Sequence, residues 1–224
     1  MRVGPESCIG PSYWPLFDLR IRTPRLELRY PDDELLMALA QVAAAGTHHP
    51  DRMPFVEPWS RAPSGELERN ALQHWWGRRA QLGPRDWTIT LAVLEDGRPV
   101  GVQDLMAKDF GVRRVFETGS WLGLDHQGRG IGTEMRSAAL HLGFEGLHAE
   151  RAETGAFEDN PESRGVTMKL GYESNGTFVR VREGERASLL LYVLTRQRWL
   201  ESRRCDITIE GLCECRPLLG VGDE

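Results

Sequence analysis

The sequence contains no hydrophobic run long enough to cross a bilayer. Its richest apolar stretch, residues 188–194, has the length of a β-strand, whereas a transmembrane helix needs ~20 such residues. The first residues also lack the apolar core of a secretory signal peptide. We therefore expect a cytoplasmic protein that has no membrane partner.

Cysteine is scarce, with 4 residues in a chain of 224, which is too few for a disulfide scaffold. Cys8 stands alone near the start, while Cys205, Cys213 and Cys215 lie near the C-terminus. The spacing of these three matches no standard zinc motif. We therefore expect reduced thiols and no bound metal.

Lysine and net positive charge are scarce as well. Only Lys108 and Lys169 are lysines, and 28 basic against 33 acidic residues leave a net charge of −5. Such a surface has no general attraction for nucleic-acid phosphates or anionic lipids, so we expect no nucleic-acid partner. Hydrophobic residues at 40% and charged residues at 27% are typical of a globular chain.

Hydrophobic periodicity divides the chain into strands and helices. The Asp-Gly pair at residues 96–97 indicates a hairpin, and two strand–helix units near the middle predict parallel neighbouring strands there. The expected fold is therefore an α/β (α+β) mixed sheet of seven strands with helices on both faces. The predicted strands are 21–30, 87–94, 99–106, 115–124, 151–158, 173–182 and 186–195, and the predicted helices are 32–45, 65–82, 128–148 and 160–170.

These elements form one domain with two extensions. Residues 1–19, rich in proline and glycine, predict an extended N-terminal arm, residues 20–199 the domain, and residues 200–224 a C-terminal tail. The segment 46–64 contains four prolines and no regular periodicity. Long loops of this kind inside compact domains are often functional.

A glycine-rich stretch lies where a predicted strand ends and a helix begins. Gly128, Gly130 and Gly132 allow the backbone to turn sharply, and the unpaired amides of the first helical turn favour a phosphate or diphosphate ligand. A P-loop would need a lysine before Thr133, and a dinucleotide fingerprint needs a different glycine spacing. A turn that binds no ligand remains the structural alternative.

The segment Gln127-Gly-Arg-Gly-Ile-Gly132 resembles the diphosphate loop of the GNAT acyl-CoA N-acyltransferases. Further motifs in the right order are similar to the RimJ/RimL branch of that family, and the resemblance spans roughly residues 20–199. It implies a GNAT-like, mostly antiparallel sheet with a central parallel strand pair, and an acyl-CoA-dependent N-acyltransferase. The additional motifs are Thr23-Pro-Arg-Leu-x-Leu-Arg29, Trp121-Leu-Gly-Leu124, Asn160-x-x-Ser163 and Lys169-Leu-Gly-Tyr172.

The resemblance also implies roles for individual residues. The main chain of Leu122 and Leu124 would pair with the pantetheine arm, which Asn160 would contact unless it only caps its helix. Ser163 would lie near the thioester sulfur as the acid. The tyrosine that many members use as that acid is Thr167 here, which leaves the identity of the acid open. The loop that would hold the diphosphate consists of Gln127, Gly128, Arg129, Gly130, Ile131, Gly132 and Thr133.

An amine must be neutral to attack a thioester, which makes a base useful. At pH 7 an α-amine is neutral about once in six molecules and a lysine about once in 2,500, a gap of ~3.5 kcal/mol. Glu117 matches a glutamate frequent in the branch and is the first candidate for the base, with Asp104 on the neighbouring strand as the second. Trp59, Trp75 and Trp76 either line the acceptor site or belong to the core.

Donor and acceptor identity follow less directly from these motifs. Acetyl-CoA is the expected donor, with succinyl-CoA as the alternative, whose carboxylate an arginine such as Arg85, Arg113 or Arg114 could bind. The acceptor is a protein N-terminus, a lysine or a small-molecule amine, and the chain could form a homo-oligomer. The competing functions are a non-catalytic acyl-CoA-binding sensor or structural subunit and, more weakly, a nucleotide-binding enzyme.

Overall fold

The computed structural model describes residues 13–222 as a mixed sheet with helices on both faces. The strands are β1 Arg20–Arg22, β2 Leu26–Arg29, β3 Asp86–Glu95, β4 Arg98–Lys108, β5 Val115–Leu122, β6 Arg151–Phe157, β7 Glu173–Arg182, β8 Glu185–Thr195 and β9 Thr208–Glu210. The helices are α1 Asp33–Ala44, α2 Glu66–Gln81, α3 Phe110–Arg113, α4 Ile131–His141, α5 Pro161–Lys169 and α6 Arg196–Ser202. Cys8 and most of the predicted arm lie outside the described residues. Within the described part of the chain, no helix combines the length and apolarity needed to cross a membrane.

The sheet order is β7-β8-β6-β5-β4-β3-β2-β1-β9. The predicted central parallel pair is confirmed, because β5 and β6 run in the same direction while the other neighbours are antiparallel. The predicted count of seven strands is wrong, since the sheet has nine. The stretch 21–30 forms two paired strands, because a turn closed by the Thr23 amide and the Leu26 carbonyl (2.9 Å) reverses the chain.

The ninth strand comes from the C-terminal tail. Ile209 of β9 lies opposite Ile21 of β1, and the Trp87 indole donates a hydrogen bond to the Leu219 carbonyl at 3.0 Å. The sheet and the core therefore extend beyond the predicted domain boundary at residue 199. A prediction from hydropathy alone misses this strand because β9 is only three residues long.

Helix α6 of the tail also changes the environment of α4. Helical periodicity places His141 on the solvent-facing side of α4, but His141 is half-buried and its ring lies 6.0 Å from that of Trp199 on α6. Glu134 and Ser137 on the same predicted face are buried. The predicted exposure is therefore wrong for Glu134, Ser137 and His141, which α6, the tail and the β1–β2 turn cover, whereas Glu145 of the same predicted face is exposed.

Local sequence signals set several helix ends as predicted. The Asp32 carboxylate accepts a hydrogen bond from the Leu35 amide at 2.8 Å and so caps α1.

Helix α4 begins at Ile131, later than expected, because Gly128 and Gly130 adopt φ values of +72° and +82°, which are not helical. It ends in a π-helical turn at Leu142–Gly146.

The two faces of the sheet carry separate cores. On one face, Leu36, Leu39 and Trp75 of α1 and α2 pack against Ala92 and Val102 of β3 and β4. On the other, α4 contributes to a larger core whose members include Phe116, Ile131, Met135 and Phe144. Side chains alternate between these faces along each strand, which determines the face on which each candidate site residue lies.

The edge opposite the tail is formed by β7, which is exposed along nearly its whole length. Three of its apolar side chains, Phe178, Val179 and Val181, are at least half exposed. Homo-oligomer formation stays a prediction.

The close packing of the tail predicts a position-specific effect of adding one methyl group. A Cβ on Gly211 (φ +71°) would lie 2.3 Å from the Asp18 carbonyl oxygen, whereas a Cβ on Gly184 (φ +85°) would meet no atom within 4 Å. We expect Gly211→Ala to lower the free energy of unfolding by roughly 2–4 kcal/mol and Gly184→Ala by about 1 kcal/mol, the latter from backbone strain alone. Urea denaturation measures both, and equal losses would contradict the packing of the tail against residue 18.

Candidate active site

A cleft of about 920 Å³ opens where β5 and β6 separate. The two strands pair only between Val115–Glu117 and Arg151–Glu153. Beyond these residues β5 continues along β4, and β6 continues along β8. Across this gap the Thr118 carbonyl oxygen accepts a hydrogen bond from Thr154 Oγ1 at 3.1 Å, and other backbone groups of the facing edges can hydrogen-bond to an extended ligand. The cleft also reaches the first turns of α4 and α5.

The first turn of α4 has the properties of an anion site. Gly130 is its N-cap and supplies no side-chain cap. Among the described residues, the amides from Gly128 to Thr133 donate to no backbone or side-chain acceptor. Gly128, Gly130, Gly132 and Thr133 all line the cleft. Free amides and the positive end of a helix dipole together favour a phosphate or diphosphate.

Other predicted loop residues act through different atoms. The Gln127 side chain donates to the carbonyl oxygens of Thr47 (2.8 Å) and Leu122 (3.0 Å) and so joins the 46–64 loop to the end of β5. The Leu124 amide donates to the Gly46 carbonyl oxygen at 3.0 Å. Leu122 and Leu124 both line the cleft. The Leu124 amide is engaged within the protein, and the pairing of the main chain of these two residues with a ligand stays a prediction.

Arg129 and Ile131 direct their side chains away from the cleft lining. The Arg129 guanidinium forms an ion pair with Glu95 at 2.9 Å, and the Ile131 side chain is fully buried in the core. The Ile131 side chain therefore cannot reach an anion, whereas the Arg129 guanidinium is about half exposed beside Glu95.

The turn between β1 and β2 supports the anion site from behind. Glu134 of α4 is only 5% exposed and accepts hydrogen bonds from Thr23 Oγ1 (2.6 Å) and Arg25 Nε (2.8 Å). Arg25 also donates to the Arg129 carbonyl oxygen at 3.2 Å. Burial alone would raise the pKa of Glu134, but the bonds from Thr23 and Arg25 outweigh it and lower that pKa. The Thr-Pro-Arg segment thus fixes the glycine loop, a role that sequence reasoning did not assign.

Two predicted residues of α5 meet at the cleft. Asn160 Oδ1 accepts a hydrogen bond from the Ser163 amide at 3.1 Å, so its capping role is realised. Both residues line the cleft. Thr167 is fully buried, and its hydroxyl donates to the Ser163 carbonyl oxygen at 2.9 Å. The Thr167 hydroxyl is therefore engaged, whereas Ser163 lines the cleft, and the role of Ser163 as the acid stays a prediction.

The two candidate bases differ in their surroundings. Neither Glu117 nor Asp104 lines the cleft itself, and Glu117 is exposed. Asp104 lies directly opposite Gly119 of the cleft wall, which has no side chain to separate them, and its Oδ1 is buried without a partner among the described residues. Burial raises the pKa of Asp104 to about 6, against the lowering effects of Thr90 and Arg78.

Aromatic side chains and His74 form the wall on the α1–α2 side. His74 of α2 lines the cleft, and burial, followed by the charge of Arg78, lowers its pKa. Trp59 lines the cleft as one of the predicted tryptophans. Trp75 and Trp76 do not, because Trp75 packs in the core and Trp76 donates to Asp33. An aromatic row runs from His48 through Phe55 and Trp59 to Trp121, with ring separations of 5.7, 5.0 and 6.0 Å.

Ion pairs fasten the 46–64 loop over the cleft. Arg52 pairs with Glu162 of α5 at 2.7 Å, and Arg61 pairs with Glu183 of the β7–β8 turn. Arg182 donates to the Met53 carbonyl oxygen at 2.9 Å. The loop therefore forms one side of the site.

The arginines proposed from the sequence for a donor carboxylate lie elsewhere. Arg85 forms an ion pair with Asp109 at 3.0 Å, and Arg113 is exposed. None of the three arginines, Arg85, Arg113 and Arg114, lines the cleft. Arg136 of α4 does line it. Sequence reasoning missed Arg136 because helical periodicity alone does not show which residues of α4 lie beneath the strand separation.

The cysteines of the tail are free thiols, and burial raises the pKa of Cys215 to about 12. Across residues 13–222, no group of three or more His, Cys, Asp or Glu side chains is arranged to hold a metal ion.

The sequence matches the model of the acetyltransferase (GNAT) domain over residues 25–173. RimJ from Mycobacterium smegmatis, solved in complex with a CoA disulfide, is 22% identical at a TM-score of 0.65, with 84% of this chain and 95% of that chain covered. RimL, a ribosomal α-N-protein acetyltransferase solved in complex with coenzyme A, is 16% identical at a TM-score of 0.64, with 77% and 95% covered. A GNAT-family acetyltransferase from Bacillus anthracis is 17% identical at a TM-score of 0.64, with 80% and 99% covered. These similarities establish the fold.

The ion pair behind the loop predicts a pH-dependent contribution to stability. Because the pKa of Glu134 is lowered on folding, its contribution is present above the unfolded value of about 4.3 and is lost as the pH falls further. We expect Glu134→Gln to reduce the free energy of unfolding at pH 7 by roughly 2 kcal/mol, with the difference from wild type shrinking below pH ~4.

The matched control is Glu145→Gln, which removes an exposed carboxylate paired with Arg203 at 2.8 Å and should cost less than about 0.5 kcal/mol. Denaturant unfolding between pH 3 and pH 7 measures both variants. A difference for Glu134→Gln that does not change with pH would show that the lost interaction is not ionic.

Proposed function

This chain belongs to the GNAT acetyltransferase family, and on that premise we propose how its cleft transfers an acyl group from an acyl-CoA to an amine of low pKa. Dependence on acyl-CoA and action on an amine follow from the family. The proposal concerns the residues that act and the class of acceptor. It rests chiefly on one observation: the free amides at the start of α4 and the separated strands β5 and β6 open into the same cleft.

The residues present fit acyl-CoA. The amides from Gly128 to Thr133 would hold the diphosphate, the end of β5 at Leu122 would contact the pantetheine arm, and Asn160 would contact it from α5. The volume of about 920 Å³ lies in the range of sites that enclose a ligand of this size. Acyl-CoA supplies a thioester, which is an activated acyl group. Acetyl-CoA and succinyl-CoA differ in the length and in the charge of the acyl group.

Asp104 is the better placed base. Its carboxylate lies on the α1–α2 face, on which the aromatic row and His74 form the wall of the cleft. A pKa of about 6 leaves Asp104 ionised at pH 7 while keeping it a stronger base than an ordinary carboxylate. Asp104 takes a proton from the acceptor ammonium, directly or through water, and the neutral amine then attacks the thioester carbonyl. The second proton leaves the nitrogen for solvent once the C–N bond has formed.

Ser163 is the proposed hydrogen-bond donor or acid for the leaving group, which is the thiolate of coenzyme A. Its side chain lies on the first turn of α5, beside Asn160, and lines the cleft. As the C–S bond breaks, the Ser163 hydroxyl can donate a hydrogen bond or a proton to the departing thiolate, and solvent restores that proton. No cysteine lines the cleft among the described residues, so attack by the amine itself is favoured over an acyl-enzyme.

The pKa of Asp104 affects which class of amine can serve as the acceptor. Moving a proton from an α-amine of pKa ~7.8 to a group at about 6 costs ~2.4 kcal/mol, whereas the same transfer from a lysine at ~10.4 costs ~6 kcal/mol. An aromatic row beside the base also suits a cationic amine before it loses its proton. These properties support an α-amine, as in a protein N-terminus, over a lysine side chain.

The role of Asp104 predicts opposite changes in activity and stability. We expect Asp104→Asn to lower kcat/KM by roughly 10²–10⁴-fold and to remove the rise in activity of the wild type through about pH 6. Folding raises the pKa of Asp104 from ~3.9 to about 6. The stability that protonated Asp104 contributes is therefore fully present below pH ~3.9 and is lost as the pH rises to about 6. Asp104→Asn should therefore be more stable than wild type at pH 8 by roughly 1–3 kcal/mol.

Glu117→Gln is the comparison variant, since it removes the other candidate carboxylate. We expect it to retain most of the activity. A large loss in Glu117→Gln together with a normal Asp104→Asn would assign the base to Glu117 instead.

The choice of acceptor is tested with two peptides of one sequence containing a single lysine, one with a free N-terminus and one with it acetylated. We expect the α-amine to react on the order of 100-fold faster, with mass spectrometry identifying the acylated nitrogen. Preferential acylation of the lysine would refute the preference for an α-amine. Tight binding of acyl-CoA without acylation of any amine in a broad panel would favour the non-catalytic acyl-CoA-binding subunit.

A further inference from the structure

Arg136 is a buried cation without an anionic partner. Its side chain extends from α4 towards the gap between β5 and β6, and the residue is only 4% exposed. The guanidinium donates to Ser120 Oγ at 3.1 Å and to Thr154 Oγ1 at 3.4 Å. Among the described residues it forms no ion pair, and its Nε has no hydrogen-bond acceptor. At least one of the five donors of this group is therefore unused.

The surroundings of Arg136 are polar but neutral. Thr118 Oγ1 and the Tyr172 hydroxyl are also buried without a partner within the described part of the chain. Burial lowers the pKa of Arg136, yet a guanidinium keeps its proton in proteins. An unpaired buried charge is expensive, and neutral hydroxyls compensate only part of that penalty. An anion brought by a ligand would complete the site.

The position of Arg136 indicates which part of a ligand would reach it. Thr154 immediately follows the last residue of β6 that pairs with β5, and Ser120 lies three residues beyond the last paired residue of β5. Arg136, Ser120 and Thr154 line the cleft near the point where the strands begin to separate. The free amides lie at the start of α4, about one helical turn before Arg136. A thioester whose diphosphate occupies those amides would direct its acyl group towards Arg136.

We propose that Arg136 binds a carboxylate at the far end of the acyl chain, so that the donors of this enzyme are ω-carboxyacyl-CoA thioesters such as succinyl-CoA. The inference rests on the proposed function of the cleft as the acyl-CoA site. A guanidinium can hold a carboxylate through two parallel hydrogen bonds, and the hydroxyls of Thr118 and Ser120 offer further donors, whereas the Thr154 hydroxyl already donates to the Thr118 carbonyl oxygen at 3.1 Å. The carboxylate is unchanged by the transfer, in which the amide C–N bond forms and the thioester C–S bond breaks.

Calorimetric titration of the full chain with succinyl-CoA, butyryl-CoA and coenzyme A tests the proposal. Succinyl-CoA and butyryl-CoA have acyl chains of equal carbon number and differ in the terminal carboxylate, so their Kd ratio isolates its contribution. We expect the wild type to bind succinyl-CoA at least 10-fold more tightly than butyryl-CoA. Arg136→Gln should abolish this ratio while leaving the Kd for coenzyme A within about threefold of wild type.

Arg113→Gln is the matched control, because it removes an exposed arginine outside the cleft, and we expect the wild-type ratio to persist in it. Equal affinities of the wild type for succinyl-CoA and butyryl-CoA, with coenzyme A still bound, would overturn the proposal and leave Arg136 as a bridge between the strands. This comparison needs no variant, so it remains decisive if Arg136→Gln does not fold. Absence of any binding of coenzyme A would instead refute the proposed function itself.

Discussion

β5 and β6 are hydrogen-bonded over only three residue pairs, although each strand continues for several residues beyond them. Neighbouring parallel strands ordinarily keep pairing, because buried backbone groups without partners cost free energy. Here α4 lies beneath the gap, and its Arg136 bridges Ser120 on one strand and Thr154 on the other. The free amides of the glycine loop, the Ser163 hydroxyl and the Arg136 guanidinium all face the space that this separation creates.

Two ionisable groups of opposite charge are partly or fully buried beside that space. Asp104 lies on the face of the sheet covered by α1 and α2, since it alternates with the core residues of β4, whereas Arg136 approaches from the α4 face. The sheet lies between them, so they do not neutralise each other. A fold selected only for stability would place apolar side chains at both positions. A ligand that brings an ammonium to one face and an anion to the other accounts for both.

The features predictable from the sequence are those determined by a few consecutive residues. The Asp32 cap, the Asn160-Pro161 helix start, the hairpin at Gly97 and the glycine loop each follow from local geometry. The identity of the catalytic base does not follow from local geometry. Glu117 and Asp104 both lie on strands and on the same face, and neither lines the cleft; Asp104 differs in pairing with Gly119 of the cleft wall, which only the strand register shows. Arg136 depends in the same way on how α4 is rotated against the sheet.

The C-terminal tail illustrates how a distant segment supports the site. β9 pairs with β1, β1 pairs with β2, and the turn between β1 and β2 carries Thr23 and Arg25. These two side chains hold Glu134 and, through Arg25, the Arg129 carbonyl oxygen. Arg25 thereby holds the Arg129 carbonyl oxygen, while the amides from Gly128 to Thr133 stay free for an anion. A short β1–β2 hairpin would be marginal as an isolated edge, so pairing with β9 gives the hairpin the rigidity that positioning an anion-binding loop requires.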